Sequence, residues 1–308
     1  MGSGKLKYFS AAISSAVVWG FFPIFLRNLK GYPAEQILHY RIFTSLVIIW
    51  AFIALFRKDK IREDILYLQN ESGKKKRKLF WLTILAGILI TGNWFSYIYA
   101  VNNISLKSAA FAYMVCPLIT ALGGFFILKE NLTNFKFAAI AIAVISILIL
   151  AKGAFGEVLW SVFIAALYAF YLIIQRVVKT IDRFNLLGVQ LLISTVLIMP
   201  LFIYTDTATF PSGLMFWANI IMIAIVFTIL PLFLSLYALI GLPSSTLGIV
   251  IYVNPIVAFS VAFFYFHEGI TMHQVMAYSL LFIAVIIFNL DIILPNIYKT
   301  TAGTNSRN

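Results

Sequence analysis

Arg41 stands about five residues inside an apolar run that begins at residue 36, two positions after His39. A guanidinium at that depth costs roughly 3 kcal/mol or more unless it faces a cavity or a partner. It suits a carboxylate or phosphate, which it grips through two parallel hydrogen bonds. Its plainer roles are snorkelling to the membrane surface or a structural ion pair. His39 titrates near physiological pH when unperturbed, and its plainer role is an interfacial hydrogen bond. Other apolar runs carry Trp19, Asn93, Trp94, Tyr97, Tyr99, Tyr113, Tyr168, Tyr171, Tyr237, Tyr252 and Asn254. The two amides stand out, because an amide in hydrocarbon must find partners. The rings either wall a cavity or anchor at the membrane interface. These residue types suit the binding of a small polar solute. The sequence has no P-loop, no HExxH and no GxSxG, so it implies neither an ATP engine nor an enzyme, and no metal or cofactor.

The elements that must hold these residues follow from composition. Of 308 residues, 62% are hydrophobic and only 11% charged, against about 25% charged in an ordinary soluble domain. The mean hydropathy is +0.97. A soluble fold of this length cannot hide so much apolar surface. The single cysteine, Cys116, excludes an internal disulfide. Ten apolar runs occupy 6–27, 36–56, 79–101, 106–128, 134–151, 157–178, 185–204, 214–238, 244–266 and 272–293. They are too continuous for barrel strands, which alternate. The expected fold is an all-α polytopic membrane protein with ten transmembrane helices. The first run reads as an uncleaved span, since no small-residue cleavage site follows it.

Lys and Arg accumulate on the cytoplasmic side of membrane proteins. With the N-terminus inside, 18 of them fall on inner segments and 4 on outer ones, which places both termini in the cytoplasm. Nine lie in the loop 57–78, including Lys74-Lys75-Lys76-Arg77-Lys78. That run anchors topology beside anionic lipid, and no nucleic-acid partner is expected.

The chain also repeats itself. An offset of 138 superposes Phe95, Tyr99, Pro117 and Glu130 on Phe233, Tyr237, Pro255 and Glu268. An offset of 149 aligns Trp19 with Tyr168, Arg41 with Gln190 and Ser45 with Ser194. The chain thus divides into five-helix repeats at 1–151 and 152–295, with a tail at 296–308. Five is odd, so the second half enters the membrane inverted. Such inverted repeats underlie alternating access around a site near the midplane. Trp19, Tyr99, Tyr168 and Tyr237 match in depth across the halves and are candidates for a cavity wall. Pro117 and Pro255 are candidate hinges, since each removes a helical hydrogen bond. Glu130 and Glu268 end runs four and nine. They form tight hairpins with Thr133 and Thr271 as N-caps, or act as gate ion pairs.

The stretch Asn93-Trp94-Phe95-Ser96-Tyr97-Ile98-Tyr99-Ala100-Val101-Asn102 resembles the third-span signature of RarD proteins. Leu242 to Gly248 and Tyr252 to Pro255 look like their ninth-span signature, and Glu35 to Arg41 their second-span start. The paired Pro…Glu hairpins are similar to the duplicated EamA domain of the drug/metabolite transporter superfamily. Cys116 departs from the Asn common there, and Tyr40 separates His39 from Arg41. The resemblance implies a central cavity lined by spans 1–4 and 6–9, with 5 and 10 peripheral. It implies transport of small metabolites, such as amino acids or their derivatives, across a bacterial inner membrane, with export the expected direction. Expected partners are that metabolite and membrane lipid, with a homodimer left open. The rival readings are a non-transporting scaffold or sensor and an intramembrane lipid-handling protein. On the transport reading Arg41, His39, Gln190, Asn93 and Asn254 bind the polar parts of the solute. Trp19, Trp94, Tyr97, Tyr99, Tyr113, Tyr168, Tyr237 and Tyr252 supply the aromatic wall.

Overall fold

The computed structural model describes residues 3–129, 132–178, 180–204, 211–241, 250, 252–288 and 290. Among them every regular element is helical. The helices are α1 (Ser3–Arg27), α2 (Ala34–Phe56), α3 (Lys58–Asn70), α4 (Gly73–Asn103), α5 (Leu106–Leu128), α6 (Asn134–Val177) and α7 (Arg183–Tyr204). α8 (Leu214–Ala224) runs through a π turn at Ile225–Ile229 into α9 (Leu230–Gly241). α10 (Val253–Ser260) continues into a second π turn, Val261–Tyr265, and α11 (Met272–Phe288) follows.

Among the described residues, eight helical stretches are long and apolar enough to cross a membrane. The two further apolar stretches, Val253–Tyr265 and Met272–Phe288, are shorter. The ninth run expected from sequence starts at residue 244, and its first six residues lie outside the described set, as do Glu130 and the tail. α6 comprises two helical segments that correspond to runs five and six, separated by a kink where Ala154 leaves helical geometry (φ −156°, ψ 54°). The expected loop 57–78 is instead mostly helical, as α3 and the first turns of α4. Its Lys, Arg and Glu residues are good helix formers. Ser72 caps α4 by accepting the Lys75 amide at 3.4 Å, and Glu71 pairs with the Lys75 ammonium. That pair lowers the Glu71 pKa and raises that of Lys75.

The packing interleaves the two halves of the chain. α1 lies against α9 and α10, α2 against α7, α4 against α6 and α7, and α11 against α6. Ser146 ties α6 to α11 by donating to the Ala277 carbonyl at 2.6 Å. The stretch Asn134–Lys152 is 22% buried, against 50% for Ala34–Phe56. Run five is therefore peripheral and α2 central.

The close approach of α1 to α10 depends on Gly20. A Cβ there would collide with the Val257 side chain and come within 3.1 Å of the Asn254 carbonyl. Overpacking of this kind costs about 1–3 kcal/mol. Gly20→Ala is accordingly expected to lower the melting temperature by about 2–6 °C. An unchanged melting temperature would show that the α1–α10 contact relaxes freely.

Candidate functional site

Helical spacing assembles the site. Trp19 and Phe22 are three apart on α1, and Trp94 and Tyr97 three apart on α4, so each pair shares a face. These faces meet Arg41 from α2, Tyr113 from α5, Tyr168 from α6, Phe227 from the α8–α9 π turn and Asn254 from α10. Together they enclose a cavity of about 100 Å³. α7 and α11 contribute no side chain to it.

Arg41 is the centre of the arrangement. Only 5% of it is exposed. Its guanidinium carbon lies 4.8 Å from the Trp94 ring centre and 5.0 Å from that of Phe22. One terminal nitrogen donates to Thr228 Oγ1 at 3.4 Å, while Nε has no hydrogen-bond partner. Four ion pairs are formed among the described residues, and Arg41 belongs to none of them. A buried guanidinium thus borders a cavity with two aromatic faces around it and, among the described residues, no carboxylate beside it.

The rings form a connected wall. Phe227 packs on Phe22 at 5.7 Å, Phe22 stacks on Tyr97 at 5.7 Å, and Tyr97 meets Tyr113 at 5.4 Å. Tyr113 then meets Tyr168 edge-on at 5.6 Å.

Proline places backbone acceptors at the same level. Pro23, Pro117 and Pro231 each follow a cavity residue by four positions: Trp19, Tyr113 and Phe227. A proline lacks the N–H that would bond the carbonyl four residues back. Each of those cavity residues therefore loses its regular helical donor. The Phe227 carbonyl accepts the Trp19 indole N–H instead, at 2.9 Å. Trp19 consequently offers the cavity its ring and spends its only side-chain donor on the backbone. The π turn at Ile225–Ile229 belongs to the same disturbance of the helix ahead of Pro231.

Seven of the thirteen binding residues expected from sequence line this cavity: Trp19, Arg41, Trp94, Tyr97, Tyr113, Tyr168 and Asn254. The other six do not line it. His39 stacks on Phe202 at 3.8 Å. Asn93 is fully buried and donates to the Ile164 carbonyl at 3.0 Å, joining α4 to α6. Gln190 accepts from the Tyr171 hydroxyl at 3.2 Å. Tyr99 is 38% exposed and stacks on Trp160 at 5.1 Å. Tyr237 packs against Tyr8 at 5.1 Å. Tyr252 is buried beside the site without lining it. Phe22 and Phe227 line the cavity and were not among the expected residues. For Phe22 the signal was its three-residue spacing from Trp19.

Polar networks close both ends of the helix bundle. At one end Glu268 pairs with Arg27 at 2.5 Å and accepts the backbone amides of Leu106 and Lys107 at 3.2 and 3.3 Å. It thus holds the end of α1 and the start of α5 to the loop before α11. Thr271 caps α11 by accepting the Gln274 amide at 3.4 Å. Thr133 occupies the matching N-cap of α6, but its side chain makes no cap bond there. At the opposite end Arg57 pairs with Asp182 at 2.7 Å, and Asp64 accepts from the Asp182 amide and from Asn185.

The class of protein is a polytopic helical membrane protein, with apolar helices long enough to span and a buried cation beside an aromatic cavity. The EamA-like transporter family model matches twice, over residues 6–152 and 156–290. The chain belongs to that family. It is 30% identical over 280 residues to the uncharacterized transporter YojE of Bacillus subtilis, covering 89% of this chain and 90% of the relative. It is likewise 30% identical to protein RarD of Streptomyces exfoliatus, covering 89% and 85%. RarD of Escherichia coli is 26% identical over 92% of this chain and 93% of that protein. A crystal structure of another protein aligns over 94% of this chain and 98% of its own, with a TM-score of 0.58 and 17% identity, which concerns the fold alone.

Proposed function

We propose that the protein is a secondary transporter of small organic metabolites that carry an anionic group, working by alternating access around the Arg41 cavity. The observation that carries this reading is the buried guanidinium without a carboxylate partner, bordering a cavity of about 100 Å³. The anionic group of the solute completes the charge pair. Trp94 and Phe22 hold the guanidinium plane in place, and the tyrosine wall packs the rest of the solute. Amino acids or their derivatives fit this chemistry. The volume is well under the roughly 300–1,000 Å³ of an ordinary ligand pocket. The cavity therefore has to widen to take a whole metabolite, and the proline bends at its wall are the natural places for that movement.

The double family match and the offset identities support two halves of five helices each, inverted in the membrane. The Lys and Arg distribution supports an inner-membrane orientation with both termini cytoplasmic. On that orientation Arg27–Glu268 lies at the outer mouth and Arg57–Asp182 at the inner one. Export is the direction the RarD resemblance favours.

Counterflow in proteoliposomes tests the reading. Vesicles loaded with an anionic metabolite are expected to accumulate its labelled form, and Trp94→Leu is expected to weaken half-saturation about 5- to 30-fold. That range corresponds to about 1–2 kcal/mol for a desolvated cation–π contact. Absence of counterflow with every acid in a broad panel would sink the proposal.

A further inference from the structure

A second and larger cavity lies away from Arg41, where no transport role places it. It has a volume of about 460 Å³ and runs between the ends of α2, α4 and α7, beneath α3. Its walls are almost wholly apolar, with Trp50 from α2, Ile61, Ile65 and Leu68 from α3, Phe80 from α4 and Val189 from α7. Most polar groups in the wall are engaged by the protein, Asn185 Oδ1 being left without a partner among the described residues. Thr83 donates to the Leu79 carbonyl at 2.8 Å, and Asp64 takes the Asn185 amide at 2.6 Å.

α3 explains why the groove exists. None of its residues is buried, yet Ile61, Ile65 and Leu68 fall on one face of a helix otherwise rich in charge. Such a helix lies in the plane of a membrane surface, with its apolar face toward the acyl chains. Here that face roofs an apolar space that no side chain fills. Trp50 lies six residues inside the end of α2, so the groove reaches roughly 9 Å into the bundle at 1.5 Å per residue. That depth falls within one leaflet of a hydrocarbon core about 30 Å thick.

The rim of the groove is basic. Lys76 lines it and donates to the Gln69 carbonyl at 3.1 Å. Lys74, Arg77 and Lys78 beside it are all exposed, while Lys75 is held by Glu71. We propose that this groove binds one acyl chain of an anionic phospholipid, whose headgroup rests on Lys76 and the neighbouring cations. The charge complementarity selects the headgroup, and the apolar walls select a chain over a free phosphate. The assignment to the inner leaflet rests on the orientation proposed above. The binding site itself does not, and it is read out without transport.

The test uses the full chain, delipidated in a mild detergent, with retained lipid counted by native mass spectrometry. Dioleoyl phosphatidylglycerol is expected to be retained at about tenfold lower concentration than dioleoyl phosphatidylcholine. Lys76→Gln is expected to bring the two close to parity, and Thr83→Trp, which fills the groove, to abolish retention of both. Val196→Trp, on an exposed face of α7, is expected to change neither. Equal retention of the two lipids by the wild type would overturn the proposal. So would phosphatidylglycerol retention that survives Thr83→Trp, or displacement of the lipid by glycerol phosphate alone. Should Thr83→Trp fail to fold, phosphatidylglycerol with brominated chains gives a second reading. It is expected to quench a share of the wild-type fluorescence that disappears in Trp50→Phe, and an undiminished share would refute the site.

Discussion

Arg41→Gln is expected to abolish solute flux while making the unliganded protein more stable. The two effects have the same cause. In the folded protein the guanidinium is 5% exposed, faces no carboxylate among the described residues and leaves Nε unbonded. Desolvating such an ion costs several kcal/mol. The two ring contacts return about 0.5–2 kcal/mol each. Replacing the ion by a neutral amide removes more cost than attraction, and a net gain of about 1 kcal/mol raises the melting temperature by about 2–4 °C. Binding moves the other way. Removing one member of a buried charge pair costs about 2–5 kcal/mol, so flux at low solute concentration should fall about 30-fold or more. A scaffold would gain stability with no functional loss. A purely structural arginine would lose stability along with function. Melting curves and counterflow on the same preparation separate these outcomes.

Glu268→Gln is expected to loosen the end of the bundle where Arg27 lies. The carboxylate is the single acceptor shared by the Arg27 guanidinium and the amides of Leu106 and Lys107. An uncharged amide weakens all three bonds, and hydrogen bonds to charged groups contribute about 1.5–3 kcal/mol each. A loss of about 2–3 kcal/mol overall follows, since Arg27 keeps its bond to the Val101 carbonyl at 3.2 Å and its place over the Phe266 ring. The chain carries its own reporter of opening. Cys116 is the only cysteine, is 2% exposed, and sits one helical turn from Tyr113 in the cavity wall. On the proposed orientation, which puts Glu268 at the outer mouth, alkylation of Cys116 by a membrane-impermeant reagent applied to whole cells should speed up about tenfold in Glu268→Gln. An unchanged rate would mean that the Glu268 network is not a gate.

The limits of sequence reading are visible residue by residue. The helices were legible because hydrocarbon tolerates only runs of apolar residues with internally bonded backbones. Arg41 was legible for the same reason, as a charge where charges are costly. For Asn93 the rule demands a partner for a buried amide without saying which, and the Ile164 carbonyl accepts from it. Tyr99 misled although its spacing held a warning. It lies two residues from Tyr97, about 200° around the helix, and so faces away from the site. Gln190 matched Arg41 in the repeat, yet repeat symmetry fixes only a position in the fold, and α7 turns that position toward Tyr171. Phe227 was hidden because a phenylalanine in an apolar run carries no signal by its type, and Phe22 had only its spacing from Trp19. The prolines were legible singly. Their common four-residue offset from Trp19, Tyr113 and Phe227 acquired meaning only when the structure put those three residues around one cavity.

The most direct test of the central claim compares acids with their neutral analogues. The melting temperature of the purified protein is measured against a panel of metabolite acids and the primary amides of the same compounds. A ligand that binds only the folded state must raise it, because at a hundred times its dissociation constant it adds about 2.7 kcal/mol to the folding stability. At least one acid is expected to raise the melting temperature while its amide does not, and the rise should vanish in Arg41→Gln. An amide that stabilises the wild type as well as its acid, or an acid that stabilises Arg41→Gln undiminished, would contradict the role given to Arg41.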